Sequence, residues 1–236
     1  MKYVYLDTES THLDSEVGHL WEVALIVRDL DFSDGGDLEF WWQVRPDLTA
    51  ADPKSLQISR YYDRSQVAHL PIGHGVDLSC GADREILSKG AVREREILSE
   101  GAVRENVTAE EIALQLAQQL DGATIVANNP RHDWDFLRSF LRAHGQAFTA
   151  SHRMDDIRAL LKGYVYGRLA AAGGDVDDAF LPAQAEYVRR WLSGDSDVLA
   201  WEIVGVTQEP ETKHTALGDA RCVRDVHDGI TRGILH

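Results

Sequence analysis

The chain has 236 residues, of which 39 are acidic and 24 basic, giving a formal charge of −15 with ten histidines neutral. That length suits one domain, 44% hydrophobic residues suffice for a sizeable core, and 27% charged residues are ordinary for a soluble globular protein. No apolar run approaches the roughly 20 residues of a membrane span, and the acidic balance disfavours a protein that coats nucleic acid electrostatically. The opening MKYVYLDTE enters a strand-like pattern with an acid at position 7, unlike a signal peptide. Cys80 and Cys222 have neither disulfide-framework nor metal-site spacing, so the cytoplasm is the expected compartment.

Tyr3 to Glu9, rich in β-branched and aromatic residues, predicts the first strand. Leu20 to Val27 is nearly all apolar, as expected of a strand buried on both faces. Leu38 to Val44 predicts a third strand, ended by Arg45-Pro46, and the paired glycines of DFSDGGD (31–37) suit a hairpin turn before it. Three strands in a row suggest an antiparallel meander. Residues 84–94 and 95–105 are a tandem repeat differing only at Lys89 and Glu100, which reads as a local duplication inside an insertion over 63–106. Thr108 and Glu111 form a capping box before IALQLAQQL, and 123–128 (ATIVAN) reads as a fourth strand. Helical spacing of Phe136, Leu137, Phe140 and Leu141 predicts a helix from Asp133 to His144, closed by Gly145. Another helix starts over Asp155 to Leu161, with a short strand left open before it. Ala170 to Asp178 reads as a flexible acidic loop and Gly194 to Asp197 as a turn, so 170–200 is a second insertion. The last helix, Ala216 to Ile230, carries Leu217, Ala220, Val223, Val226 and Ile230 on one stripe. The order β-β-β-α-β-α-(β)-α describes an α/β fold with a mixed sheet flanked by helices, one domain spanning 1–236.

Asp7 and Glu9 stand two apart on the first strand and so leave the same face. Paired carboxylates in an otherwise apolar strand repel and are costly to bury unless a cation lies between them. Asp133 opens the helix after the fourth strand, where an acid complementing the helix dipole is equally ordinary; Asp135 suits that plain role better. In HTALGDA, His214 precedes the last helix and Asp219 lies just over one turn inside it, so both can face one pocket. Each feature alone is weak; the combination in this order is specific.

The constellation resembles the DEDDh (DnaQ-like) family of 3′→5′ exonucleases, which have an RNase H-like fold. DTESTHLD (7–14) is similar to the family's first motif, D-x-E-T-T-G-L, and LWEVALI (20–26) to the strand that follows, with Glu22 in the usual place. NNPRHDWDFL (128–137) resembles the second motif, N-x-x-F-D-x-x-F-L, through Asn129, Asp133, Phe136 and Leu137. HTALGDA (214–220) resembles the third, H-x-A-x-x-D-A, and Asp155 with Leu160, one position wider apart, resembles a short D-x-x-x-L segment between the second and third motifs. The resemblance covers essentially the whole chain apart from the two insertions. Two positions depart from it: His12 stands where the family usually has Gly, and His132 where it has Phe.

The resemblance implies that Asp7, Glu9, Asp133 and Asp219 bind two divalent ions, Mg²⁺ or Mn²⁺, whose preference for oxygen donors suits four carboxylates. One ion would activate a water and the other stabilise the leaving 3′ oxygen, with His214 as general base. It further implies contacts from Ser10, Thr11, His12, Leu13 and Asn129 to the terminal nucleotide. Thr8 is a weaker candidate, because alternation points it away from Asp7 and Glu9. Trp21, Trp41, Trp42, Tyr61, Tyr62 and Trp134 suit packing better than base stacking. The expected activity is stepwise hydrolysis of single-stranded DNA or RNA from 3′ ends to 5′-mononucleotides, with no membrane partner and with a homodimer left open. Against it stand a catalytically silent nucleic-acid-binding or scaffold domain of the same fold, an RNase H-like nuclease cutting internally, and a hydrolase of very short oligonucleotides. The acidic balance favours a metal-anchored grip on a few terminal nucleotides over a long basic groove.

Overall fold

A computed structural model of the chain describes residues 1–30, 36–79, 103–171 and 204–231. Most of the 31–37 turn, Cys80, the tandem repeat up to residue 102, the acidic loop beyond 171 and the 194–197 turn lie outside the described residues. Among the described residues, seven strands form one sheet: β1 (Lys2–Ser10), β2 (Leu20–Asp29), β3 (Leu38–Val44), β4 (His74–Asp77), β5 (Arg104–Thr108), β6 (Thr124–Ala127) and β7 (Met154–Asp156). Their spatial order is β5-β4-β3-β2-β1-β6-β7. Pairing is antiparallel from β5 through to β1 and parallel from β1 through β6 to β7, so the sheet is mixed, as expected.

β1 lies inside the sheet, and Val4, Tyr5 and Leu6 are completely buried in succession. Its alternation divides the core. Val4 and Leu6 join Val23 and Leu25 of β2 beneath α3 (Ala109–Leu120) and α4 (Pro130–Ala143). Tyr5, with Ala24 and Ile26, faces α5 (Ile157–Ala171) and α6 (Ala216–Thr231), whose Ala216, Ala220, Val223, Val226 and Ile230 form the buried stripe. Each fully buried Leu, Ile or Val contributes about 1.5–3 kcal/mol relative to exposure, so both helical layers are held by the same sheet without any need for their polar ends.

The capping box forms as the sequence predicts: the Glu111 amide donates to Thr108 Oγ1 (3.2 Å) and the Thr108 amide to Glu111 Oε2 (2.9 Å). The helix expected from Asp133 starts three residues earlier, because Pro130 takes the first helical position, where its fixed φ and missing N–H cost nothing. The strand left open before α5 is β7. The meander has five strands rather than three. β4, inside the stretch read as an insertion, and β5, at its C-terminal end, extend it beyond β3, and they are not legible in the sequence because four or five residues carry too little alternation. Two short helices also lack a clear sequence signal: α1 (Pro53–Ile58), capped by Asp52, and the single turn α2 (Tyr61–Arg64).

Candidate active site

The acids of β1 sit at its C-terminal end on the face covered by α6. In register with β2, Asp7 stands opposite Ala24 and Glu9 opposite Glu22, and the pairing becomes irregular between Glu9 and Ser10. α6 begins there and supplies Asp219 from its first turn. Carboxylate oxygens of Asp7, Glu9 and Asp219 all lie within 4.8 Å of one another, and all three side chains are half-buried, enclosed by packed atoms yet reached by solvent. Asp133 approaches from the opposite helical layer. It is 2% exposed, and Thr8, pointing to that layer, donates from Oγ1 to Asp133 Oδ1 at 2.7 Å. Alternation thus turns Thr8 away from Asp7 and Glu9 and toward the remaining acid.

These groups raise one another's pKa. Burial pushes Asp7 well above the carboxylate range, and the charges of Asp133, Asp219, Glu9 and Glu22 add to it. Glu9 is raised by burial and then by Glu22 and Asp219, with Arg64 opposing. Burial lifts Asp133 to about 7 against the Thr8 hydrogen bond, and Asp219 is raised by burial against hydrogen bonds from Gln208 and the His214 amide. A cluster that resists ionisation, made only of hard oxygen donors, fits a divalent cation; binding one would supply the missing positive charge.

Asp219 is oriented by its surroundings. Gln208 Nε2 donates to one carboxylate oxygen at 2.5 Å and the His214 amide to the other at 3.2 Å. His214 is exposed, has a left-handed backbone (φ 56°), and its charge lowers the pKa of Asp219. Thr215 closes the turn, donating to Thr212 O (2.7 Å) and accepting from the Gly218 amide (3.0 Å). Gly218 is required there: a Cβ would lie 2.2 Å from the Thr212 carbonyl oxygen.

Glu22 ties these parts together. Completely buried, it accepts from Trp41 Nε1 (3.0 Å), Gln43 Nε2 (2.9 Å), Arg64 Nη1 (3.0 Å) and the Ala216 amide at the start of α6 (3.1 Å). These donors offset the cost of burying its charge, although that charge still raises Glu9 beside it. The sequence marks Glu22 as a polar residue in an apolar strand and through the family resemblance, where it stands in the usual place; Arg64 and Gln208 carry no local signal.

The loop after β1 forms the rim. The Thr11 amide donates to His19 O (2.9 Å), and the His19 amide to Thr11 Oγ1 (2.9 Å). Thr11 is completely buried, and its amide and hydroxyl build the loop. Ser10, also buried, donates to the His12 carbonyl (2.8 Å), and its hydroxyl lies 3.5 Å from His132 Nε2. His12 has no left-handed backbone, so the side chain standing where the resemblance has Gly meets no strain of that kind, while Gly18 gives it room: a Cβ there would meet His12 Cβ at 2.6 Å. His12, Leu13 and Asn129 line an open cleft of about 470 Å³ with Arg131, His132, Asp135 and Phe136, and none of the four acids lines it. Leu13 and Asn129 are exposed, and Asn129 adopts a left-handed conformation (φ 66°) at the start of α4. Among the aromatics, Trp21, Trp42 and Tyr61 are buried in the core, Trp41 holds Glu22, Trp134 packs edge-on against Phe148, and Tyr62 is exposed.

A mixed seven-strand sheet with helices on both faces is the RNase H-like α/β fold. Solved structures that share it include exonucleases. The chain aligns over 99% of its length with E. coli exonuclease I in a zinc-bound complex with single-stranded DNA (13% identity, TM-score 0.55). It aligns over 98% with the E. coli enzyme bound to a dT13 oligonucleotide (12%, 0.53) and with a product-bound exonuclease I (11%, 0.52). It spans only 41–43% of the length of those proteins, and at such identity the likeness is one of fold. No family model and no curated protein sequence matches the chain. No helix among the described residues is long and apolar enough to cross a membrane.

Proposed function

We propose that the chain is a divalent-metal-dependent 3′→5′ exonuclease that removes 5′-mononucleotides from single-stranded DNA or RNA ends. The observation that carries this is the convergence of Asp7, Glu9 and Asp219 on one point, with Asp133 adding its charge from the other layer. Two ions, Mg²⁺ or Mn²⁺, held by these four carboxylates would supply Lewis-acid stabilisation of charge on the attacking and leaving oxygens. The protein's own groups do the rest. His214 takes a proton from the attacking water at a ring nitrogen, and its exposure lets it pass that proton to solvent. Asp219, fixed by Gln208 and by the His214 amide, keeps the base and the acids in one frame. His12 accepts the Asp14 amide at Nδ1 (3.0 Å), so its neutral ring carries the proton on Nε2 and offers a donor to a nucleotide in the cleft. Leu13 provides an apolar surface for the base or sugar and Asn129 a polar edge.

The resemblance to the DEDDh motifs and the fold shared with exonuclease I support this reading. A labelled single strand incubated with Mn²⁺ or Mg²⁺ should shorten stepwise from a free 3′ end, stop with EDTA, and persist when the 3′ end is blocked. Equal degradation of a 3′-blocked or circular strand would overturn it. Asp219→Asn should abolish turnover while leaving the far-UV circular dichroism spectrum unchanged.

A further inference from the structure

Among the described residues, four non-glycine positions have a left-handed backbone: Arg60, Asn106, Asn129 and His214. Two of these are linked: Arg60 grips the chain immediately before His214. Arg60 sits at the corner between α1 and α2 with φ 51°, and its Nη2 reaches across 151 positions of sequence to donate to the carbonyl of Glu211 (2.8 Å). It also donates to the carbonyl of Lys213 (3.3 Å), immediately before His214. The guanidinium Nε is buried without a hydrogen-bond partner. A strained backbone and an unpaired buried donor are both unfavourable, and they persist where the surrounding structure demands that the side chain arrive at one place.

That place is the back of the His214 turn. From 211 to 216 the turn is gripped on its carbonyls by Arg60 and on the Ala216 amide by Glu22, while the His214 amide donates to Asp219. Both grips lead to the same corner: Arg64, four residues after Arg60, holds Glu22 through Nη1 and the Ser59 carbonyl through Nε (3.0 Å) and Nη2 (2.7 Å). Nothing in the sequence motifs involves Arg60.

We infer that Arg60 is a positioning residue for His214, fixing the backbone turn from which the imidazole reaches the attacking water. This rests on the proposed role of His214 as general base. With a single-stranded oligonucleotide and Mn²⁺, Arg60→Ala should lower kcat about tenfold with KM within about twofold, because a misplaced base weakens the transition state more than substrate binding. Arg60→Lys, which keeps a cationic donor, should recover kcat to within about threefold of the parent. In a His214→Ala background, Arg60→Ala should change kcat by less than about twofold, as expected when both act through one group. Hydrogen exchange of the metal-free protein should show residues 211–216 opening about tenfold faster in Arg60→Ala, with β1 unchanged. Loss of protection throughout β1 would mark global unfolding and overturn the local role, as would unchanged exchange at 211–216. If Arg60→Ala costs as much with His214 absent as present, Arg60 does not act through it. If His214→Ala leaves kcat intact, the general-base assignment itself fails, whatever Arg60 does.

Discussion

Each of the four acids meets conditions that its type ordinarily avoids. Asp7, Glu9, Asp133 and Asp219 all have folded-state pKa values above their usual range, chiefly through burial. The metal-free folded protein therefore holds protons that the unfolded chain releases, and its stability declines with rising pH from the ordinary carboxylate range upward; for Asp133 the decline extends to about 7. Without metal, Tm should fall between about pH 5 and about pH 8, and Mn²⁺ should reduce that fall. Asp7→Asn should flatten it and raise the metal-free Tm at about pH 8 by roughly 2–4 °C, the response of a domain this size to about 1 kcal/mol. A lower metal-free Tm for this variant would show that its repulsion is already compensated. The sequence shows the acids themselves. What it hides is the company they keep: Thr8, Gln208 and Arg64 reach Asp133, Asp219 and Glu22 only after folding.

Between strand and helix, the decisive element is the turn that begins α6. Gly218 packs so closely on the Thr212 carbonyl that any side chain must displace one of them, whereas a Cβ added at Gly163, within α5, would meet nothing within 4 Å. Gly218→Ala should destabilise the protein by about 1–3 kcal/mol through overcrowding. Gly163→Ala should stabilise it by about 0.5–1 kcal/mol, since alanine is the better helix former. Urea unfolding distinguishes the two signs, and Gly218→Ala should also weaken Mn²⁺ binding by displacing Asp219. Longer elements declare themselves in the sequence: β3 has the bounds its apolar run predicts, and α6 ends one residue beyond its stripe. β4, β5 and α2 do not, because a few residues acquire their conformation from neighbours in the sheet rather than from their own periodicity.

For the molecule as a whole, the charge of −15 opposes long-range capture of a polyanion. The proposed enzyme should then depend little on ionic strength. Its log kcat/KM against log salt should be shallower than about −2, corresponding to about three neutralised phosphates on a single strand, and should not steepen as the strand is lengthened. A steep, length-dependent slope would reveal a basic track that the net charge conceals. The sheet order that frames the site is only half legible in the sequence. The element order points to a mixed sheet, but which strand lies inside it emerges from β1 pairing antiparallel on one side and parallel on the other.

β1 also separates the site's supports. Asp7 and Glu9 look toward α6, while Thr8, between them, looks toward Asp133 on α4. The bond from Glu22 to the Ala216 amide closes a loop of 194 positions. A chain still emerging from the ribosome, with its β-meander complete, would hold two of the four acids and no histidine base. The topology thus orders assembly: the four acids and His214 come together only after both helical layers have closed on the sheet.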